Sequence, residues 1–192
     1  YRPRSRTPSS SALTLFVNLA GVANRPSSLT LPAEWTFSAS NEETTYSFIT
    51  TKSYTATDDG NGVYAFIDND NNNQISVYEG SYRSKTFIVD DSAENQIYVI
   101  PDESLDTGKI TVNVYDSPTS TKFTSYYFLD TALTVDKTTA FFDIKEAPNG
   151  YYEINFGDGK SFGKSPAVGS KVVVTYFSSN GTEANGCTGF LS

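Results

Sequence analysis

The 192-residue sequence contains no histidine, no methionine and a single cysteine, Cys187. Histidine is the commonest general base and metal ligand in proteins. Its absence excludes a Ser-His-Asp triad, a Cys-His dyad and any histidine-ligated zinc site in this chain. One cysteine excludes an internal disulfide and favours a reducing compartment. No apolar run approaches eighteen residues, so neither a transmembrane segment nor a membrane partner is predicted. Because the sequence starts with Tyr1 and no signal segment precedes it, we expect a fragment of a longer polypeptide, cut at both ends.

Basic residues are also scarce. The chain has 14 Lys and Arg against 22 Asp and Glu, a net charge of −8. Residues 1–33 contain four arginines and no acid, so the remainder carries 10 − 22 = −12. A body this acidic repels nucleic acid, and no nucleic-acid partner is predicted. The arginine-rich start is compatible with a nucleic-acid arm, but the pattern favours a solvated segment or one that contacts another protein part.

The residues that are abundant favour β-structure. There are 13 Tyr and 13 Phe, and aromatic and β-branched residues suit a pleated, half-buried surface. Short alternating runs such as ALTLFVNL are separated by turns, and no helical repeat persists for ten positions. We predict a mainly β fold with little helix: two small antiparallel β domains or one extended sandwich-like unit. The predicted domains are 1–82, where residues 8–13 could be the end of a helix or a linker, and 83–192.

The stretch GDGKSFGKS, residues 157–165, is the motif most suggestive of chemistry. A P-loop needs four residues between its glycines, whereas five separate Gly157 from Gly163. Both this motif and the dinucleotide fingerprint also need a following helix, and here a strand-like run, KVVVTYF, follows. We therefore interpret Gly157, Asp158, Gly159 and Gly163 as a structural turn, expect positive φ at Gly157 and Gly159, and predict no bound cofactor.

Two other polar stretches also read as turns. Pro148-Asn149-Gly150 predicts a tight hairpin. Residues 68–79, DNDNNNQISVYE, match the spacing of a calcium loop, with Asn73 where glycine is usual and Glu79 at position twelve. Because both flanks look like strands, the pattern favours a polar hairpin tip over calcium binding, and no metal site is predicted.

For the remaining candidates, the sequence favours a structural or solvent-exposed role over a functional one. Asn180-Gly181-Thr182 is a glycosylation sequon or a turn, and paired acids could serve in a cleft or simply be solvated. Exposed aromatic side chains could stack on sugars, although neighbouring residues in a strand face opposite ways. These acids and aromatics are Glu42-Glu43, Asp90-Asp91, Trp35, Tyr126-Tyr127 and Tyr151-Tyr152. No catalytic residue is assigned, and we predict that the chain is not an enzyme.

The C-terminal third, YYEINFGDGKSFGKSPAVGSKVVVTYFSSNGTEANG, resembles the baseplate wedge proteins of contractile phage tails, the T4-like wedge subunit and baseplate J-like family. The shared pattern is a strand ending at Phe156–Gly159, a loop with Gly163, an apolar strand over 172–176 and Asn185-Gly186. The stretches YRPRSRTPSSSALTLFVNL and LTLPAEWTFS … YSFIT also resemble the family. The sequence departs at Glu34, where the family often has glycine.

The resemblance implies a structural virion protein, the middle fragment of a wedge subunit, located in the tail baseplate and assembled in the host cytoplasm. It implies other wedge proteins as partners, and a second copy of itself for the full-length protein. Six wedges would then surround the tail hub. The alternative is a cell-surface adhesin or a carbohydrate-binding β-sandwich module.

Overall fold

A computed structural model describes residues 3, 5–42, 44–90, 96–129 and 134–192. About half of the chain is strand, no helix of seven or more residues occurs among the described residues, and the strands form a half-barrel sheet and a nearly closed barrel-like sheet. The predicted fold class, mainly β with little helix, is confirmed.

The described residues form sixteen strands. The first eight are β1 (Ser10–Leu13), β2 (Leu15–Asn18), β3 (Ser28–Leu31), β4 (Thr36–Asn41), β5 (Thr44–Thr50), β6 (Tyr54–Thr57), β7 (Val63–Phe66) and β8 (Ile75–Glu79). The others are β9 (Ser81–Ile88), β10 (Tyr98–Ile100), β11 (Leu105–Tyr115), β12 (Phe123–Phe128), β13 (Phe141–Glu146), β14 (Tyr152–Phe156), β15 (Lys171–Ser178) and β16 (Thr188–Leu191). Three 3-10 turns accompany them, at Asn69–Asn71, Pro148–Gly150 and Gly181–Ala184.

One compact unit, which we call the acidic unit, comprises residues 7–81 and 179–192. Its main sheet has the order β1-β8-β5-β4-β16, and the pairs β2–β7 and β3–β6 form separate ladders. Alternate residues of β8 point inward, so Ile75 and Val77 are fully buried against Phe48 and Tyr64. By sequence, this unit holds nine acids and only two bases, Arg25 and Lys52, a net charge of −7.

The second compact unit, which we call the groove unit, comprises residues 1–6 and 82–178. Its sheet has the order β10-β14-β13-β12-β11-β15-β9. Strand β11 pairs with β15 so that Val112 lies opposite Val174 and Val114 opposite Val172, and these four valines belong to the core. The N-terminal residues join this unit because Thr107 Oγ1 donates to the Pro3 carbonyl at 2.9 Å.

The two end strands of this seven-stranded sheet face the same core. Phe87 on β9 and Tyr98 on β10 meet edge to face, with ring centroids 5.4 Å apart. Tyr98 in turn contacts Phe156 on β14 at 5.1 Å. Aromatic pairs at this separation and angle are favourable, and these contacts stabilise a curved sheet whose first and last strands pack on the same core.

Two local predictions are wrong. The end of a helix or a linker, considered for residues 8–13, is not what Ser10–Leu13 form: they are β1, whose pairing with β8 places Ser10 opposite Tyr78 and Leu13 opposite Ile75. The hairpin tip expected at 68–79 does not join paired strands, because β7 pairs with β2 whereas β8 pairs with β1 and β5. In both cases long-range pairing overrides the local pattern.

The predicted domains, 1–82 and 83–192, stay a prediction, because compactness in a structure does not test independent folding. The chain passes between the compact units at 81/82, close to the predicted boundary, and also at 6/7 and 178/179. The return of residues 179–192 to the acidic unit was not anticipated from the sequence.

Candidate functional site

The glycine-rich loop that follows β14 is closed by its own aspartate. Oδ1 of Asp158 accepts hydrogen bonds from the backbone N–H groups of Lys160, Ser161 and Phe162, each at 2.8 Å. The Asp158 N–H donates to the Phe162 carbonyl at 2.9 Å, and the Gly159 N–H donates to the Gly163 carbonyl at 2.9 Å. Converging N–H groups of this kind form the concavities in which proteins bind anions. Here the anion is the carboxylate of the loop itself.

The charge of this carboxylate is stabilised by the same contacts. The N–H groups of Phe162, Lys160 and Ser161 lower the pKa of Asp158 below its ordinary value of 3.8. The carboxylate is therefore ionised at neutral pH. A phosphate brought to these N–H groups would have to displace a bound negative charge.

Glycine is needed in this loop for two separate reasons. Gly159 and Gly163 have φ of 69° and 77°, in the left-handed region that side chains disfavour. Gly157 has no positive φ, so that part of the prediction is wrong. A Cβ on Gly157 would instead lie 2.3 Å from the carbonyl carbon of Gly163. Close backbone approach, not backbone conformation, explains the first glycine.

The far side of the loop is anchored to the segment before β13. The Gly163 N–H donates to the Asp136 carbonyl at 3.0 Å, and the Lys164 N–H donates to the Thr139 carbonyl at 2.8 Å. The ring of Phe162 packs edge to face on Phe141, 5.2 Å away. The loop is thereby tied to neighbouring backbone at several points.

The second predicted turn forms as expected from its residues. Strands β13 and β14 pair antiparallel, with Glu146 opposite Tyr152, and the Ala147 N–H donates to the Tyr151 carbonyl at 2.8 Å. Asn149 and Gly150 have φ of 65° and 72°, which Asn and Gly accept most readily. Pro148–Gly150 is therefore the hairpin connection.

In the calcium-like segment, residues 68–79, the carboxylates at the first and last positions have separate partners. Asp68 forms an ion pair with Lys52, at 2.7 Å, which lowers the pKa of the Asp68 carboxyl. Glu79 is 3% exposed and instead accepts two hydrogen bonds from Asn180, one from its backbone N–H at 2.8 Å and one from its side-chain amide at 2.9 Å. No cluster of three or more carboxylate or thiol groups suited to a metal occurs within the part of the chain that the structure describes.

The remaining candidates are dispersed. The Asn180 side chain of the sequon is engaged by Glu79. Asp91 and Glu43, each one member of a predicted acid pair, lie outside the described residues. Tyr126 is buried and Tyr127 is 70% exposed, so the pair faces opposite ways as predicted. Trp35 belongs to the acidic unit and Tyr127 to the groove unit.

A feature that the sequence did not reveal lies beside the glycine-rich loop. A groove of about 770 Å³ is lined by residues of β14, by Tyr98 at the start of β10 and by loop residues near both strands. The described residues that line it belong to the stretches 89–90, 96–98 and 153–158 and to the loop residues 162, 165, 166 and 168. No single sequence pattern spans such a site, and its exposed large apolar residues, Ile97, Phe162 and Val168, lie outside the stretch 153–158.

Comparison with protein-family models and with curated proteins finds no match to this chain. Within the described ranges, no helix has the length and apolar character needed to cross a membrane.

Proposed function

We propose that the chain is a structural component of a contractile phage tail baseplate wedge. In this role it is a rigid β scaffold that assembles with itself and other wedge subunits around the tail hub. It is part of the virion, is assembled in the host cytoplasm and carries no catalytic site. The proposal begins from the sequence resemblance, which three observations support.

The observation that carries the proposal is the backbone at Glu34. The family often has glycine after Pro-Ala, and Glu34 is the residue at which this sequence departs. Glu34 nevertheless has φ of 63°, the left-handed conformation that glycine adopts without strain. The backbone N–H of Glu34 donates to the Thr50 carbonyl at 2.7 Å, which holds this turn against β5. A glycine-type turn at the position of the family glycine supports a shared local fold.

The course of the chain after β14 also fits the resemblance. The strand ends at Phe156, the glycine-bearing loop closes on Asp158, and the apolar strand follows as β15, with Val172 and Val174 in the core. Asn185-Gly186, the last feature of the family pattern, lies after β15 and before β16.

The closed loop supports a scaffold over a nucleotide-dependent enzyme. The N–H groups of Lys160, Ser161 and Phe162 donate to Asp158. Those of Gly163 and Lys164 donate to the carbonyl groups of Asp136 and Thr139. Some switching transitions move subunits as rigid bodies about their interfaces, and an internally bonded loop suits a subunit that moves in this way.

The proposal is tested by locating the protein in particles. Gold-labelled antibodies against this chain are applied to phage lysates and to cells of the organism from which the sequence comes. We expect gold at the end of contractile tails that is distal to the head. Gold on the cell envelope, with tails unlabelled, would contradict the proposal.

One observation favours the alternative, a cell-surface carbohydrate-binding module. Phe123 and Tyr127 lie on the same face of β12 and are 48% and 70% exposed, which leaves two aromatic rings available for stacking. A glycan array distinguishes the two functions. Saturable binding that Tyr127→Ala removes, and that Trp35→Ala leaves unchanged, would favour the adhesin; no binding is expected for the wedge subunit.

A further inference from the structure

The groove beside the glycine-rich loop has the size and exposed apolar surface of a binding site. Its volume of about 770 Å³ lies within the roughly 300–1,000 Å³ usual for ligand sites. Ile97, Phe162 and Val168 line it and are 62%, 51% and 65% exposed. Large apolar side chains gathered around one groove mark interaction sites more often than isolated ones do.

The charge of the groove has one sign. Asp90, Glu153 and Asp158 line it, and no Lys or Arg is among the described residues that do so. Lys145 lies opposite Glu153 in the β13–β14 ladder, but it does not line the groove. Carboxylates around an apolar surface attract a partner that combines positive charge with apolar side chains.

The groove also offers hydrogen bonds suited to a peptide main chain. Strand β10 ends the seven-stranded sheet and pairs only with β14 in the described part of the chain. Tyr98 of this edge strand lines the groove, and the open edge of a strand suits the main chain of an extended segment.

We propose that this groove binds an extended basic segment of a partner protein. Alternate residues of an extended chain point to opposite sides. Apolar side chains of the segment pack on Ile97 and Val168, and its Lys or Arg side chains approach Asp90 and Glu153. This inference goes beyond the baseplate proposal and does not depend on it, because it uses only the shape, charge and hydrogen-bonding capacity of the groove.

The test measures fluorescence anisotropy of labelled hexapeptides with the whole chain. The probe peptide alternates lysine and valine, and the control peptide alternates glutamate and valine. We expect saturable binding of the lysine–valine peptide that weakens as salt is raised, because salt screens charge attraction. We expect no binding of the glutamate–valine peptide. Absence of saturable binding by the lysine–valine peptide, or equal binding of both peptides, would overturn the proposal.

Matched variants locate the binding. Glu153→Gln removes a groove charge and is expected to weaken binding roughly fivefold, the effect of about 1 kcal/mol. Glu146→Gln removes the same charge from the same hairpin, outside the groove, and is expected to leave affinity within about twofold. Equal losses in the two variants would overturn the proposal, because they would indicate general attraction to an acidic protein.

A second pair tests the apolar contact. Ile97→Ser is expected to weaken binding, whereas Phe123→Ser, at an exposed apolar position of the same unit outside the groove, is not. Circular dichroism checks that each variant is folded, and Val168→Ser replaces Ile97→Ser if the latter unfolds. Unchanged affinity in folded groove variants would contradict the proposed binding of the peptide in this groove.

Discussion

Asp158 acts in the loop as an internal anion. Its carboxylate accepts hydrogen bonds from three backbone N–H groups, those of Lys160, Ser161 and Phe162. Asp158→Ala is expected to lower the melting temperature by a few degrees, because those donors would lose their acceptor. Asp116→Ala is the control: this exposed carboxylate has only a 3.9 Å pairing with Lys122, and its loss is expected to change little. Equal melting temperatures for Asp158→Ala and wild type would contradict the role assigned to Asp158.

The pH dependence of the same residue follows from the direction of its pKa shift. Backbone N–H groups lower the pKa of Asp158 in the folded protein below the ordinary 3.8. The stabilisation is therefore fully present above about pH 4 and is lost as the pH falls through the folded-state pKa. The difference in melting temperature between wild type and Asp158→Asn is expected to shrink on acidification from pH 6 to pH 3. A difference that grows over this range would contradict the account.

Gly163 is constrained both by conformation and by space. A Cβ there would lie 2.1 Å from Cε1 of Phe141, at φ of 77°. Gly163→Ala is expected to destabilise the protein by about 2–4 kcal/mol, from strain and overpacking together. Gly169→Ala separates the two causes, because Gly169 has φ of 81° with nothing within 4 Å of an added Cβ. That control should cost only about 1 kcal/mol in chemical denaturation. Equal costs would remove the close-approach argument.

Glu34 presents the opposite situation, a side chain where glycine would be relaxed. With φ of 63° the residue carries left-handed strain. Glu34→Gly is expected to raise the free energy of unfolding by about 0.5–1 kcal/mol, although glycine also makes the unfolded chain more flexible. Glu103→Gly, at a position without positive φ, provides the control and should not be stabilised. A loss of stability in Glu34→Gly would weaken the local argument for the family resemblance.

At the scale of elements, one buried carboxylate joins β8 to the C-terminal segment of the acidic unit. Glu79 accepts both the backbone and the side-chain N–H groups of Asn180. Ser9 supports the same region through its hydroxyl, which donates to the Gly181 carbonyl at 2.6 Å. The start of the segment 179–192 is therefore held by a polar cluster of Ser9, Glu79, Asn180 and Gly181, all of which belong to the acidic unit.

Glu79→Ala is expected to cost about 2–4 kcal/mol and to make residues 179–192 more susceptible to limited proteolysis, because two hydrogen bonds to a buried carboxyl group are lost and the donors of Asn180 lose their acceptor. Glu79→Gln keeps one acceptor oxygen and should lose less. Mass spectrometry of early cleavage sites is the readout. Unchanged cleavage of the segment in a folded Glu79→Ala protein would show that Glu79 does not hold it.

The elements that sequence analysis predicted correctly are those whose determinants are local. Asn149 and Gly150 specify a turn by their own conformational preferences, so the β13–β14 hairpin could be predicted. The role of Glu79 could not, because its partner Asn180 is 101 residues away and the local spacing instead matched a calcium loop. The reason for glycine at 157 could not be predicted either, because a Cβ there clashes with Gly163 only in the folded conformation of the loop.

At the scale of the whole molecule, composition and period-two alternation were sufficient for the fold class, and insufficient for the sheet orders. Strand β16 pairs with β4 across nearly the full chain, with Thr188 opposite Ser40. β12 pairs in parallel with β13. Neither pairing leaves a local trace. The groove escaped prediction because residues 96–98 form it together with residues between 153 and 168, far along the chain.

The central claim is that the chain is a structural β protein whose only nucleotide-like motif, by sequence, is closed on itself. It is tested most directly by following the backbone amide resonances of the whole chain during titration with magnesium ATP. We expect the signals of Lys160, Ser161 and Phe162 to stay in place up to millimolar nucleotide, because Asp158 holds those N–H groups. Saturable shifts of these three signals would contradict the claim.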